Sequence, residues 1–357
     1  MNPTTLCRAQ RKAGLGAALL ATFVSTWAGH AAAADTRTLV VSTYGLNGDL
    51  LKKHVYDPFK AQCRCELVIE TGNVAERLAK LEARRANPSV DLIQMPDFTA
   101  LEASNKGLLQ PIALNQLKNL AEVYDFARDP LHNQQAVAYT VYSVGLVART
   151  DQPAAAAVAS WKDLWKPELK GHLMLANITG NQGLATVYMA DRAWGGVATD
   201  MSTGLGKIAE IKSNVVTFYT QTAQMTALFA QDEAWVAPVG RFAWVNLKKT
   251  GKPLKWVVPK EGQLGVMNVL AIPKGSKNAD LAHQLIDFWL SKEVQTALAN
   301  DLVDSPIVRH ARPTPEAAEA LTYGQAQIDS LVFMKPELVL RERAGWVTQW
   351  NRMIAAK

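Results

Sequence analysis

An alternation of strand-like and helix-like segments constrains the fold of this chain more than any other feature of its sequence. Residues 38–45 form a run of apolar and β-branched residues that is typical of a buried strand, and residues 65–72 form a second such run. Helix-like segments follow at 50–61 and after Asn73, and residues 90–96 form a third strand. This β-α-β-α-β order predicts a parallel sheet with right-handed crossovers, and therefore an α/β fold.

The same alternation continues through the rest of the sequence. Residues 136–150 are rich in β-formers and predict a long strand that could run between lobes. Five further strands are predicted, at 171–177, 214–220, 234–240, 255–260 and 266–273. The apolar periodicity of residues 280–300 predicts one amphipathic helix, and Ser160 with Asp163 resembles a capping box at a helix start.

The first 34 residues have the form of an export signal. Three basic residues come first, namely Arg8, Arg11 and Lys12. The apolar run 13–28 and the small residues Ala32-Ala33-Ala34 follow, which predicts cleavage before Asp35, or one residue earlier. An uncleaved anchor is the alternative, but the run is short and rich in Ala and Gly. No Cys follows the small residues, so we expect no lipid anchor and a protein of the Gram-negative periplasm.

The length of the chain predicts two lobes. Removal of residues 1–34 leaves 323 residues with a formal charge of +3, and no basic cluster suggests nucleic acid. A single hydrophobic core usually stops growing at about 250–300 residues. We therefore expect lobe 1 to comprise 35–140 plus 271–310, and lobe 2 to comprise 141–270 plus 311–357.

Cys63 and Cys65 form a C-x-C pair in the exported chain. An even number of cysteines in an oxidising compartment favours a disulfide, and alternate residues of a strand lie at the outer limit of disulfide geometry. A local disulfide is the preferred interpretation, and two free thiols are the alternative. A metal site would need more ligands than this pair supplies.

The common motifs of nucleotide binding and nucleophilic catalysis are missing from the sequence. It has no P-loop, no dinucleotide fingerprint after a strand, no G-x-S-x-G and no H-E-x-x-H. An exported enzyme remains the alternative function, and Asp97 or His132 would then be the candidate general base. We expect no cofactor and no resident metal.

Polar and aromatic residues follow several of the predicted strands. Ligands of open α/β sheets bind beyond the carboxyl ends of the strands, so these residues are candidates for a binding site. The candidates from strand ends are Tyr44, Asn73, Asp97, Phe98, Asn177, Thr179, Asn181, Gln182 and Arg241. The turn at 179–183 could present free N–H groups to a ligand, and Arg241 could bind a carboxylate or phosphate.

Three segments carry a resemblance to the substrate-binding proteins of bacterial ABC importers, in particular the spermidine/putrescine-binding branch. They are SWKDLWKPELKGHLML (160–175), VVPKEGQLGVMNVLAIPKGSKN (257–278), and DFWLSKEVQTALA (287–299) with DSP (304–306). The resemblance covers nearly all of 38–350. It implies a type II periplasmic-binding-protein fold, with a mostly parallel sheet flanked by helices in each lobe and a ligand cleft between the lobes.

The resemblance also implies a function without catalysis. The protein would capture a small polar ligand by closure of the cleft and deliver it to an inner-membrane ABC permease. The chain would be a monomer that does not span the membrane. Tyr44 matches a cleft position of the family, and we add Tyr142 and Asn268 to the candidate ligand-binding residues.

The candidate site departs from the polyamine-binding pattern. The family has acidic residues where this chain has Asn177, Thr179, Asn181 and Gln182, and an aromatic-x-Asp arrangement where it has Val266-Met267-Asn268. Buried ammonium groups need carboxylates, so the sequence disfavours a polyamine and leaves Asp97 as the one acidic candidate. We expect an amine, a zwitterion or an organic anion, with a zwitterion spanning Asp97 and Arg241 as the sharpest hypothesis. Polyamine and ferric-ion binding are the alternatives, although Tyr139 and Tyr142 do not share a strand face.

Overall fold

The computed structural model describes residues 36–197 and 199–355. The predicted export signal lies outside these residues. Within them, no helix combines the length and the apolar character needed to cross a membrane.

The described residues contain one mixed sheet of eleven strands. The strands are β1 (Thr38–Thr43), β2 (Glu66–Thr71), β3 (Leu92–Pro96), β4 (Leu109–Gln110), β5 (Val137–Arg149), β6 (Leu173–Ala176), β7 (Val215–Tyr219), β8 (Val236–Gly240), β9 (Leu254–Val257), β10 (Gln263–Pro273) and β11 (Leu331–Val332). The main order is β2-β1-β3-β10-β5-β8-β6-β7. β1 is parallel to β2 and β3, which confirms the predicted β-α-β-α-β unit, while β10 is antiparallel to β3 and β5.

Helices flank the sheet, as an α/β fold requires. They are α1 (Gly48–Leu51), α2 (Asp57–Cys63), α3 (Val74–Ala83), α4 (Asp97–Asn105), α5 (Asp125–Arg128), α6 (Pro153–Ala156), α7 (Asn181–Ala193), α8 (Ser202–Ile211), α9 (Thr222–Ala230), α10 (Trp244–Lys248), α11 (Ala279–Trp289), α12 (Lys292–Asn300), α13 (Pro315–Ala320), α14 (Gln325–Asp329) and α15 (Pro336–Trp350). A π-helical turn, Lys52–Tyr56, joins α1 to α2.

The prediction of one helix over 280–300 is wrong, because two helices occupy this segment. α11 ends at Trp289, and α12 begins at Lys292. Ser291 between them has an extended backbone, with φ −64° and ψ 147°, and its side chain accepts a hydrogen bond from the Val294 N–H. A serine that caps the second helix therefore interrupts an apolar periodicity that continues on both sides.

Two predicted helix starts are confirmed by their caps. Asn73 accepts a hydrogen bond from the Glu76 N–H, and Glu76 accepts one from the Asn73 N–H, which completes a capping box at α3. Ser160 and Asp163 form the same arrangement at a 3₁₀ helix over Trp161–Trp165.

β5 and β10 each contribute to two large hydrophobic cores. Core 1 takes Val137, Ala138, Tyr139 and Val141 of β5 with Met267 and Val269 to Ile272 of β10, whereas core 2 takes Val144, Leu146 and Ala148 with Leu264 and Val266. Val147 packs in a third, smaller cluster. The segment predicted for lobe 2 after residue 310 divides as well. Ala311 and Ile328 pack in core 1, and Val339 to Ile354 pack in core 2. The division into two lobes itself stays a prediction, since a single structure shows no relative motion.

The two cysteines of the exported chain are bonded to each other. Cys63 ends α2, Cys65 precedes β2, and their Cα atoms are 5.2 Å apart. Arg64 between them adopts the left-handed conformation, with φ 53°. The disulfide therefore closes the tight turn between a helix and a strand.

Candidate functional site

The burial patterns of β5 and β10, the two strands that contribute to both cores, indicate where a cavity lies. Every residue of β5 is buried except Tyr142, and every residue of β10 is buried except Asn268. Tyr142 is paired with Val266, and Asn268 is paired with Thr140 on one side and with Pro96 on the other, so these side chains share a face of the sheet. The gap in burial therefore lies where the chain passes between core 1 and core 2.

Tyr44 joins this group from the end of β1. Its hydroxyl donates a hydrogen bond to the Asn268 Oδ1 at 2.9 Å. The Tyr142 ring packs edge-on against the half-exposed ring of Phe242, with 5.2 Å between the ring centres. Aromatic rings thus line the gap from both cores.

Asn181 begins α7 and borders three adjoining cavities. One, of about 220 Å³, is also lined by Tyr142, Asn177 and Phe242. A second, of about 550 Å³, is lined by Phe98 and Arg343, and a narrow third one contains Asp97. We call these three cavities together the cleft; their lining residues come from α4 of core 1 and from α7 and α15 of core 2.

Asp97 is the first residue of α4 and the acidic candidate that the sequence predicted. Its Oδ1 accepts a hydrogen bond from the Phe98 N–H at 2.7 Å, and it forms no salt bridge with another described residue. Protein surrounds the carboxyl group although part of it remains accessible to solvent. This burial raises the pKa of Asp97 to about 7, while the hydrogen bond from Phe98 opposes the shift.

Asp304 is a second carboxylate in the same region, which the sequence prediction did not include. Burial raises the pKa of Asp304 to about 7, and a hydrogen bond with Thr140 opposes the shift. Its charge also acts on the hydroxyls of Tyr44 and Tyr139. Asp304 belongs to the D-S-P segment that resembles the family. It follows a helix, whereas the candidate residues were predicted from positions after strands.

Two arginines near the cleft, Arg343 and Arg77, were also not among the residues predicted from the sequence. The Arg343 guanidinium lies 5.2 Å from the centre of the Phe98 ring, and its Nη2 donates to the Thr179 carbonyl oxygen at 2.9 Å. The Arg77 guanidinium lies 4.4 Å from the centre of the Tyr44 ring. Burial lowers the pKa of both groups, and among the described side chains neither has a carboxylate at ion-pair distance. Both sit on helices, where sequence alone does not show which face turns inward.

Arg241, a predicted ligand-binding residue, lies apart from the three cleft cavities. Its side chain is buried, with the guanidinium 4.5 Å from the Trp256 ring centre and 5.7 Å from that of Trp244. Its Nη2 donates to the Glu319 carbonyl oxygen. None of the three cleft cavities includes Arg241. Arg241 does follow β8, but its side chain lies against Trp244 and Trp256 and does not line the cleft.

Other predicted residues have their polar groups engaged within the protein. Asn73 is the exposed cap of α3. Gln182 lines the cleft, but its Oε1 accepts hydrogen bonds from the Tyr219 hydroxyl at 3.1 Å and from the Gly240 N–H at 2.9 Å. Asn177 accepts from both the N–H and the hydroxyl of Thr179. These residues shape the cleft wall more than they offer free groups to a ligand.

The turn before α7 is held by a close backbone approach. A Cβ atom on Gly183 would lie 1.9 Å from the Asn177 carbonyl oxygen, so only glycine fits there. This contact places Asn181 at the junction of the three cavities.

A cavity of about 940 Å³ lies elsewhere, bordered by α2, α11 and α12. It contains none of the predicted site residues. Within the described part of the chain, no cluster of three His, Cys, Asp or Glu side chains could hold a metal ion.

Residues 54–323 match the family model described as bacterial extracellular solute-binding protein. The chain belongs to this family. The spermidine/putrescine-binding periplasmic protein of Escherichia coli K12 is 25% identical over 270 residues, which are 73% of each chain. A Salmonella typhimurium LT2 protein with the provisional name 2-aminoethylphosphonate-binding periplasmic protein is 24% identical over 260 residues, 70% of this chain and 71% of the relative.

Solved structures agree with the family assignment. A crystal structure of an ABC transporter from Clostridium perfringens ATCC 13124 has 32% identity and a TM-score of 0.83, and covers 88% of this chain and 99% of that one. The Atu4243-GABA receptor shares the fold, with 21% identity, a TM-score of 0.75, and coverage of 90% and 98%. The predicted periplasmic-binding-protein fold is confirmed. The chain is a solute-binding protein of the ABC-transporter type, and family and fold are those of substrate-binding proteins rather than enzymes.

Proposed function

We propose that the cleft binds a small zwitterionic amine, with the ammonium group at Asp97 and the anionic group at Arg343. The observation that carries this proposal is the placement of both residues around Phe98 and Asn181. Asp97 precedes Phe98, and Arg343 lies 5.2 Å from the Phe98 ring centre. Neither forms a salt bridge within the described residues, so each offers an ionisable group that a ligand of opposite charge can pair with.

The charges around the cleft support a ligand without net charge. Asp97 and Asp304 supply two carboxyl groups, and Arg77 and Arg343 supply two guanidinium groups. A buried charge is costly unless it is paired. A zwitterion adds one charge of each sign and leaves this balance unchanged. This form of the hypothesis replaces Arg241 with Arg343 and keeps Asp97.

The curated relatives support an amine. Their names include a spermidine/putrescine-binding protein and a provisional 2-aminoethylphosphonate-binding protein. Spermidine and putrescine are amines with several cationic groups, whereas 2-aminoethylphosphonate carries an amine and an acid. The carboxylates of the cleft suit the group that these molecules share.

A diamine is the second candidate, and Asp304 is the observation that favours it. A ligand with two ammonium groups could place one at Asp97 and the other at Asp304. The Tyr44 and Tyr142 rings would then lie along the connecting carbon chain. The arginines oppose this arrangement, because each adds positive charge to the same space.

We also infer the cellular setting and the motion. Cleavage after Ala34 would release the protein into the periplasm as a monomer, and the lobes around core 1 and core 2 would close on the ligand. β5 and β10 would act as the hinge, since both continue from one core into the other. The closed form would deliver the ligand to an inner-membrane ABC permease.

Titration calorimetry with 2-aminoethylphosphonate, 4-aminobutyrate and putrescine tests the ligand class. We expect the zwitterions to bind more tightly than putrescine, and Asp97→Asn and Arg343→Gln each to weaken binding by about 10- to 100-fold. Arg341→Gln is the matched control, because Arg341 lies on the same helix but is exposed and paired with Glu342. Preference for putrescine would overturn the zwitterion proposal in favour of the diamine.

A further inference from the structure

Arg77 lies behind the cleft at the carboxyl ends of three sheet segments. Its Nε donates to the Gly72 carbonyl oxygen at 3.0 Å, and its Nη1 donates to the carbonyl oxygens of Ser42, at 3.3 Å, and of Gln94. These carbonyls belong to β1, to the turn after β2, and to β3. Only 3% of the residue is exposed. One guanidinium thus fixes the strand ends from which Tyr44 and Asp97 project.

Tyr44 is stacked on the same guanidinium. The Arg77 Cζ atom lies 4.4 Å from the centre of the Tyr44 ring, and the Tyr44 hydroxyl donates a hydrogen bond to the Asn268 Oδ1. The Arg77 Nη2 has no hydrogen-bond partner, and no described carboxylate lies within ion-pair distance. Tyr44 therefore lies against a buried cation that no described carboxylate neutralises.

We propose that Arg77 is a positioning residue for Tyr44 whose charge makes this end of the cleft unfavourable to a ligand ammonium group. The inference rests on the proposed function, because it assumes that a small amine occupies the cleft. A cation behind an aromatic ring reduces the attraction of the ring for a second cation. Its field also partly offsets that of Asp304, which acts on the same tyrosine.

This arrangement gives Arg77 a role in selectivity that a purely structural arginine would lack. Loss of a structural residue weakens all ligands to a similar extent. Loss of the charge, in contrast, changes the ratio between a ligand with an acidic end and one with a second ammonium end. 4-Aminobutyrate and putrescine form such a pair, since they have nearly the same length and differ at one terminus.

The test measures the dissociation constants of both compounds in the full mature protein and its variants. We expect the ratio of the putrescine constant to the 4-aminobutyrate constant to fall about tenfold in Arg77→Met. Arg77→Lys retains the charge, and we expect its ratio to stay within about twofold of the wild type. Arg149→Met is the control: this arginine is equally buried but is paired with Asp151 and Asp232 at the far end of β5. We expect Arg149→Met to lower the stability of the protein and to leave the ratio of the two dissociation constants unchanged.

A second variant covers the case in which Arg77→Met does not fold. Tyr44→Leu leaves the three carbonyl hydrogen bonds of Arg77 intact and removes the ring that lies against the guanidinium. We expect the ratio to rise in this variant. If the wild type binds both compounds but the ratio of their dissociation constants is unchanged in either folded variant, the role proposed for Arg77 is wrong. The proposed ligand class is not affected by that result. A wild type that binds neither compound overturns the proposed ligand class, and the inference with it.

Discussion

At the scale of single residues, the region of the cleft contains two buried carboxyl groups that form no salt bridge within the described residues. Asp97 and Asp304 each lie among protein atoms, and burial raises the pKa of each to about 7. Side chains of this kind lower the stability of the empty protein and become favourable only when a ligand supplies the opposite charge. The stability that these buried carboxyl groups cost therefore favours a role in ligand binding over a role in holding the fold together.

Asp304→Asn should stabilise the ligand-free protein above neutral pH. The folded pKa of about 7 exceeds the ordinary value of 3.8, so the folded protein holds a proton that the unfolded chain releases between these values. Stability consequently falls as the pH rises from about 4 to 7. We expect the amide to raise the free energy of unfolding by about 1–2 kcal/mol at pH 7.5 and to have little effect at pH 4. Urea titrations at both values measure the difference.

Asp280→Asn provides the contrasting control for this experiment. Its hydrogen bond with Arg37 holds the pKa of Asp280 below the ordinary value, so the carboxylate is stabilising near neutral pH. We expect this exposed variant to lose a small amount of stability at pH 7.5. A gain of equal size in both variants would show that the Asp304 effect does not arise from burial.

The sequence predicted some of these residues and missed others for a common reason. Tyr44, Asp97 and Asn268 lie in or directly after strands, where strand direction places side chains at a known edge or face. Asp304 lies in an irregular segment, and Arg77 and Arg343 lie on helices. Their positions depend on how distant elements pack, which a single sequence does not specify. Arg241 shows the converse: it follows a strand, yet its side chain points away from the cleft.

At the scale of elements, the start of α7 depends on one glycine. Gly183→Ala would place a methyl group 1.9 Å from the Asn177 carbonyl oxygen, and either the helix or the turn would have to move. We expect a loss of about 2–3 kcal/mol in the free energy of unfolding, together with weaker ligand binding. Thermal unfolding and calorimetry measure the two effects.

Gly206→Ala is the matched control in the neighbouring helix. Gly206 lies within α8, and a Cβ atom there would meet no atom within 4 Å. The same substitution should therefore raise the free energy of unfolding by about 0.5–1 kcal/mol through helix propensity. Equal losses at both positions would refute the steric explanation for Gly183.

Most elements could be predicted from local patterns, and the exceptions have local causes. The strands over 38–45, 136–150 and 266–273 were found through β-branched runs, which need no tertiary information. The break at Ser291 was missed because apolar residues continue in phase on both sides of it. A side chain that caps a backbone N–H outweighs periodicity at that point.

At the scale of the whole molecule, each of the two cores is built from segments that lie far apart in the sequence. The length of the chain and the resemblance predicted two lobes, but the C-terminal segment could not be divided from sequence. Ala311 and Ile328 join core 1, Ala320 joins the smaller third cluster, and Val339, Trp346, Trp350 and Ile354 join core 2. Short apolar segments give no indication of which of two cores will receive them, so this division depends on the final packing.

Ligand binding should make the molecule more compact. α15 of core 2 already lies against α4 of core 1, where Arg343 contacts Phe98. A ligand that binds both Asp97 and Arg343 would hold these helices together and favour the closed form. Small-angle X-ray scattering should show a smaller radius of gyration with saturating 2-aminoethylphosphonate or 4-aminobutyrate. Asp97→Asn at the same ligand concentration should retain the dimensions of the free protein, and compaction in that variant would contradict this mechanism.

The distribution of the two cores along the chain also affects biosynthesis. Core 1 combines Leu39 with Val308, and core 2 combines Val144 with Ile354. A chain grows from its N-terminus, so neither core can be completed until its distant contributors have been synthesised. Contacts between such distant residues form slowly. A polypeptide that stops before Trp346 and Trp350 would leave apolar surface of core 2 uncovered, and we expect quality-control proteases to remove it.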